Sequence, residues 1–321
     1  MWHFRVLNVM APRGWNRGRC CPRSARYHRR VSSARTSLVA AGSLALLAIA
    51  WGAIPLFIRE DAPATHLVAA RITLGALVLL GFLAIGRRLE FPAVERGRVV
   101  AQGVMLAGHW LTFFVAVKLT TVAVALAVVY LGPLLAAALS GPLLGERVGS
   151  KSRIGLLLAI VGTVLVIRPG AGATLGGVIA ALVSAVLLAA LMIVGKPAAR
   201  ALGGLALATW ELVVAALLLS PWTVQTVRES AEFWPQFILL GALFTGIAGV
   251  VYWSAMRLLP VSVVSVIMYL EPASAVIWAT LFLDETPTPA TWLGVGLVVA
   301  GGVFAAADAA EDEAFAAPAA M

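Results

Sequence analysis

Apolar residues run through this chain in long, uninterrupted stretches. A helix rising about 1.5 Å per residue needs roughly 20 apolar residues to cross a bilayer. Ten stretches approach or exceed that length: residues 38–58, 63–85, 99–117, 122–144, 154–167, 175–195, 202–220, 234–256, 261–283 and 290–307. The fifth is short and borrows from Lys151 onward. None shows the period-2 alternation in pieces of about ten residues that barrel strands display. The pattern predicts an all-α integral membrane protein with ten transmembrane helices.

Composition agrees. Hydrophobic residues make up 61% of the 321 and charged residues 12%, against roughly 45–50% and about 25% in a soluble domain. A soluble globular protein and a disordered chain are both excluded. The net charge of +9 sits in short gaps between apolar runs, as cytoplasmic loops are marked, so no nucleic-acid partner is expected. The two cysteines, Cys20 and Cys21, are adjacent and outside every run, which leaves no disulfide framework, no metal site and no cofactor to expect.

Basic residues set the orientation. With the N-terminus inside, inside segments hold 19 of the 24 Lys and Arg and outside loops hold four, Arg59, Lys118, Arg168 and Arg228. The remaining one, Arg71, lies within the second run. Both termini are therefore expected in the cytoplasm, and the acidic tail, residues 307–321, does not oppose this because acids contribute little to the rule. Residues 1–37 carry nine Arg and no acid and are expected to be a disordered basic extension. The Arg29-Arg30 pair is a poor export signal, because the run behind it is long enough to span and nine more follow.

The chain also repeats itself. At a constant offset of 139, residues 113–164 lie over 252–303 with 14 of 52 identities. Tyr130 pairs with Tyr269, Pro133 with Pro272, Glu146 with Glu285, Gly155 with Gly294 and Gly162 with Gly301. Two halves of five spans, 38–168 and 174–306, follow. An odd number per half inverts the second, giving a 5+5 inverted-topology repeat such as secondary transporters use. The spaced glycines of the last span in each half are expected to pack within the protein.

Ionisable groups at bilayer depth mark functional or structural sites. Arg71 and Glu211 occupy nearly equivalent positions in the two halves and are expected to form a structural pair or to serve coupling. Glu271 sits mid-span beside Pro272, which removes a backbone donor and kinks its helix; Pro133 does the same in the first half. Freed backbone groups and one carboxylate at the midplane suit a central binding site. Its candidate lining is Trp51, His109, Trp110, Tyr130, Tyr252, Tyr269 and Glu271. His66 is read as interfacial, His109 as cavity lining or satisfied packing, Trp234 and Trp292 as belt residues, and Glu146 and Glu285 as loop anchors.

The order and double occurrence of these features resemble the EamA-type branch of the drug/metabolite transporter superfamily. The first half carries FFVAVKLTTVAVALAVVYLGPLLAAALSGPLLGERV and RIGLLLAIVGTVLVI, and the second YWSAMRLLPVSVVSVIMYLEPASAVIWATLFLDE and WLGVGLVVAGG. WGAIP at residues 51–55 and AARITLGALVLL at 69–80 also fit. The resemblance covers nearly all of residues 38–306. It implies a ten-helix exporter-like carrier with a central cavity lined by spans 1, 3, 4, 6, 8 and 9.

The expected function is export of small metabolites, amino acids or related compounds, across the inner (plasma) membrane by alternating access. The expected partners are a small-molecule substrate, membrane lipid and protons as coupling ion, the last because Glu271 could alternate between proton and substrate. An intramembrane enzyme acting on a hydrophobic substrate is the rival, but H-E-x-x-H and G-x-S-x-G sequences are absent, and no catalytic residue is assigned. A passive pore would need a carbonyl or charge ring.

Deleting residues 2–30 should leave membrane insertion and transport intact, since these residues precede every apolar run; an unstable or inactive product in proteoliposomes would make the leader a structural element.

Overall fold

The computed structural model describes residues 22–57, 63–120, 122–167, 174–229, 233–282 and 287–315. Among these the regular elements are helices, with no strand, the arrangement expected where hydrocarbon offers backbone groups no water. The first half contains α1 (Pro22–Trp51), α2 (Ile54–Phe57), α3 (Ala64–Ile85), α4 (Arg96–Leu119), α5 (Val122–Val129), α6 (Leu131–Leu144) and α7 (Ser150–Ile167). The second contains α8 (Leu175–Leu202), α9 (Gly204–Leu218), α10 (Ser220–Glu229), α11 (Trp234–Gly241), a π-helical turn (Ala242–Ile247), α12 (Ala248–Met256), α13 (Val261–Met268), α14 (Leu270–Phe282) and α15 (Pro289–Phe315).

Among the described residues, six helical stretches are long and apolar enough to cross a membrane: Ala64–Ile85, Arg96–Leu119, Val124–Leu144, Leu175–Leu202, Trp234–Met256 and Val261–Phe282. The bent pair α9–α10 makes a seventh if counted as one span, and Arg35–Trp51 and Pro289–Ala305 are shorter apolar helices. The protein is thus a multi-pass, all-helical membrane protein.

Several boundaries differ from the sequence expectation for identifiable reasons. The seventh run stops at Leu219, where α9 turns by 74° into α10, because Pro221 cannot donate to the preceding helix. The first run breaks after Trp51. There Gly52 lies so close to α14 that a Cβ would sit 2.1 Å from Ser274 Oγ. Helix α1 begins at Pro22, inside the segment expected to be disordered, while residues 1–21 lie outside the described ones. At the other end α15 runs on to Phe315 through the alanine-rich acidic tail, a composition favouring helix.

Small residues let the last helices of the two halves touch. A Cβ on Gly155 would lie 2.7 Å from the Gly301 carbonyl oxygen, and one on Gly162 would lie 2.6 Å from that of Gly294. The offset of 139 converts one contact into the other, so α7 and α15 cross at a local two-fold. Around them α4 packs on α8 and α9, α6 on α8, and α3 on α9.

Gly301→Leu should therefore cost about 1–3 kcal/mol through overpacking, read as a lowered melting temperature in detergent. Gly296→Leu, with open space around it, should melt like the wild type; equal melting of both variants would contradict this packing.

Candidate functional site

The site begins with two missing hydrogen bonds. Pro133 and Pro272 have no N–H to give the preceding turn, and the helices break at Tyr130, between α5 and α6, and at Tyr269, between α13 and α14. The breaks meet. The two rings lie 5.3 Å apart, and the Tyr269 hydroxyl donates to the Tyr130 carbonyl at 2.7 Å. Both tyrosines are buried, while Glu271, in the first turn of α14, keeps partial exposure. The Tyr130 hydroxyl faces the Glu271 carboxylate within interaction range.

Arg71, 1% exposed on α3, supplies the opposite charge. Its guanidinium lies 3.9 Å over the Trp110 ring of α4, a cation–π contact strengthened by desolvation. Its Nε donates to Thr245 Oγ1 at 2.9 Å, and that hydroxyl donates to the Leu240 carbonyl. Nη1 has no hydrogen-bond partner. Glu271 lies within electrostatic range of it, and in place of the expected pairing no ion pair or hydrogen bond joins Arg71 to Glu211 among the described residues. Glu211 instead accepts from Trp253 Nε1 at 2.5 Å.

The π-helical turn ties the remaining aromatics to this centre. Trp51 Nε1 donates to its Phe244 carbonyl at 3.0 Å, and the Trp51 ring lies 6.0 Å from Tyr252. Such a turn redirects carbonyls sideways, and here it holds both Trp51 and, through Thr245, Arg71. His109 sits beside Trp110 with ring centroids 5.5 Å apart, but its Nδ1 engages Ser184 of α8 at 2.9 Å. His66 is elsewhere, buried under α10 with Nε2 3.9 Å from the Glu229 carboxylate. Among the described residues no group of three or more His, Cys, Asp or Glu could hold a metal ion.

At one end of the molecule Glu146 is the loop anchor the sequence suggested, with basic partners that sequence reasoning missed. Glu146 accepts from the Val261 N–H at 2.7 Å, capping α13, and pairs with Lys196 of α8 at 2.5 Å and Arg200 at 3.6 Å. Lys196 is fully buried and also donates to the Leu259 carbonyl. The carboxylate thus binds the ends of α6, α8 and α13 together. The available signal was a lysine closing an apolar run, which charge counting absorbs as a loop residue. Glu285, the repeat counterpart of Glu146, lies outside the described residues.

Comparison with known proteins fits this architecture. A family model described as the EamA-like transporter family matches residues 38–168 and 175–306. The threonine/homoserine exporter RhtA of Escherichia coli is 27% identical over 246 residues, 75% of this chain and 81% of that protein. An uncharacterized transporter of Archaeoglobus fulgidus is 26% identical over 267 residues, 82% and 94% of the two chains. A crystal structure with 24% identity superposes with a TM-score of 0.73 over 86% of this chain and 98% of its own, so the fold is shared.

Glu146→Ala should destabilise the protein by about 3–5 kcal/mol, because it leaves the buried Lys196 charge unpaired. Glu146→Ala with Lys196→Met should recover much of that loss in the same detergent melt; a single variant as stable as wild type would show that the pair bears no load.

Proposed function

The chain belongs to the EamA-like transporter family, and we propose that it is a plasma (inner) membrane carrier exporting small zwitterionic metabolites, amino acids or related compounds, by alternating access. The observation that carries this reading is the placement of Arg71 and Glu271, opposite charges on different helices, beside two broken helices that touch at Tyr130 and Tyr269. A carboxylate with partial exposure can take a substrate ammonium, while the free Nη1 of Arg71 can take a substrate carboxylate. Aromatic surface from Trp51, Trp110 and Tyr252 would cover the rest of the molecule. The name of the Escherichia coli relative, a threonine/homoserine exporter, makes threonine and homoserine the first probes.

In this reading the ten apolar runs are ten spans in two inverted halves, 38–168 and 174–306, with both termini cytoplasmic. Support comes from the double family match and from the grouping of loop residues. Glu146, Lys196, Arg200 and Leu259, all assigned inside by charge, cluster at one end. Thr174 donates to the Leu119 carbonyl, joining two loops assigned outside. Alternating access would part Glu146 from Lys196 on one side and the Tyr130–Tyr269 contact at the centre. Protons would serve as coupling ion through Glu271, which would hold either a proton or the substrate ammonium, never both. No covalent chemistry is required of these residues, which favours a carrier over an intramembrane enzyme.

Glu271→Gln keeps shape and hydrogen bonding but cannot ionise. It should fold and insert like wild type, lose at least tenfold in proton-driven transport and lose the pH dependence of what remains. Unchanged transport across pH in proteoliposomes would remove Glu271 from the site.

A further inference from the structure

A second buried carboxylate lies away from the proposed Arg71–Glu271 site. Glu211, at the middle of α9, is 4% exposed. Its Oε1 accepts from Trp253 Nε1, while Oε2 has no hydrogen-bond partner. Gln102 of α4 is fully buried in the same nest: its Nε2 donates to the Leu191 carbonyl at 3.1 Å, and its Oε1 also lacks a partner. Glycines bring these groups together. A Cβ on Gly195 would fall 2.0 Å from Gln102 Nε2 and 2.1 Å from the Trp253 ring, and one on Gly103 would fall 2.8 Å from the Glu211 carbonyl.

The inventory of this nest is unbalanced in one direction. It holds two unpaired acceptors, on Glu211 and Gln102, and what it lacks is a donor. Burying an unpaired acceptor costs free energy, and burying an uncompensated charge costs more. A single hydrogen on Glu211 Oε2 removes the charge and supplies a donor. Among the described residues no basic side chain hydrogen-bonds or ion-pairs with this carboxylate, whose hydrogen-bond partner is Trp253. On the elements packed against α9, His66 of α3 lies by Glu229, Arg200 of α8 lies by Glu146, and Arg96, Arg98 and Lys118 lie at the two ends of α4. Arg71 of α3 is held by Trp110 and Thr245, His109 of α4 by Ser184, and Lys196 of α8 by Glu146. Arg228 and Glu229 of α10 lie at its exposed end. Tyr252 of α12 is the titratable group that feels Glu211.

We infer that Glu211, with Trp253 and Gln102, forms a proton-binding site separate from Glu271. Its state reaches Trp51 through contacts in place. Trp253 meets the Tyr252 ring edge-on at 5.0 Å, Tyr252 lies against Trp51, and Trp51 hangs on the π-helical turn. Gaining or losing the proton changes the hydrogen bond to Trp253 and so biases the aromatic surface that substrate would contact. The inference deepens the proton-coupled reading above by adding a second proton-binding group.

Infrared difference spectra of the full chain in lipid vesicles test it without substrate or transport. Across a pH step, wild type should show a protonated-carboxyl band that Glu211→Gln abolishes and Glu271→Gln retains. Trp253→Phe, which keeps the acid but removes its donor, should shift that band. A Glu211→Gln spectrum that keeps every protonated-carboxyl band of the wild type would overturn the inference. So would a band displaced by sodium replacing potassium at fixed pH, which would make the nest a metal-cation site. Loss of transport in Glu271→Gln bears on the proposed Arg71–Glu271 site alone, so the two readings fail separately.

Discussion

Hydrocarbon does not forgive an unpaired backbone group, and two prolines create one at the same place in each half of this chain. Without Pro133 and Pro272, α5–α6 and α13–α14 would be continuous helices with their polar backbone sealed inside. With them, each helix breaks at a tyrosine, and at the join the Tyr269 hydroxyl donates to the Tyr130 carbonyl. The contact of Tyr130 with Tyr269 and the placement of Glu271 in the first turn after a break depend on that local failure of helix geometry.

A repeat alone would build a symmetric molecule, and the candidate site lies where the repeat is violated. Glu271 has Gly132 as its counterpart, and Gly132 has no room for a side chain, since a Cβ would lie 2.8 Å from the Ala185 carbonyl. One carboxylate therefore faces the join instead of two that would repel each other. Likewise Lys196 has Phe57 as counterpart, so the ion pair that binds the ends of α6, α8 and α13 has no copy in the other half. Symmetric parts, such as the glycine contacts of α7 and α15, hold the halves together. Asymmetric residues give the two ends different chemistry.

Much of this was legible in the sequence because the membrane simplifies it. Apolar runs announce helices, and Tyr130, Pro133 and Glu271 announce themselves by recurring, or failing to recur, at the offset of 139. The partner of Arg71 was not legible. Positions equivalent in a repeat meet only near the symmetry axis, as Tyr130 and Tyr269 do, whereas Arg71 and Glu211 lie away from it and find Thr245 and Trp253 instead. The π-helical turn was also hidden, since one inserted residue in an apolar helix changes no pattern of polarity. The bend at Leu219 could have been placed from Pro221, but the apolar run carried the reading past it.

The central claim is that substrate binds beside the broken helices and crosses by alternating access, as a carrier and not through an open pore. Counterflow in sealed proteoliposomes tests it most directly. Vesicles preloaded with an unlabelled neutral amino acid should transiently accumulate the labelled form above its outside concentration, saturably, and Arg71→Lys should weaken the apparent affinity. Linear, unsaturable entry that ignores the preload would contradict a carrier, and the site assigned to Arg71 and Glu271 would fall with it.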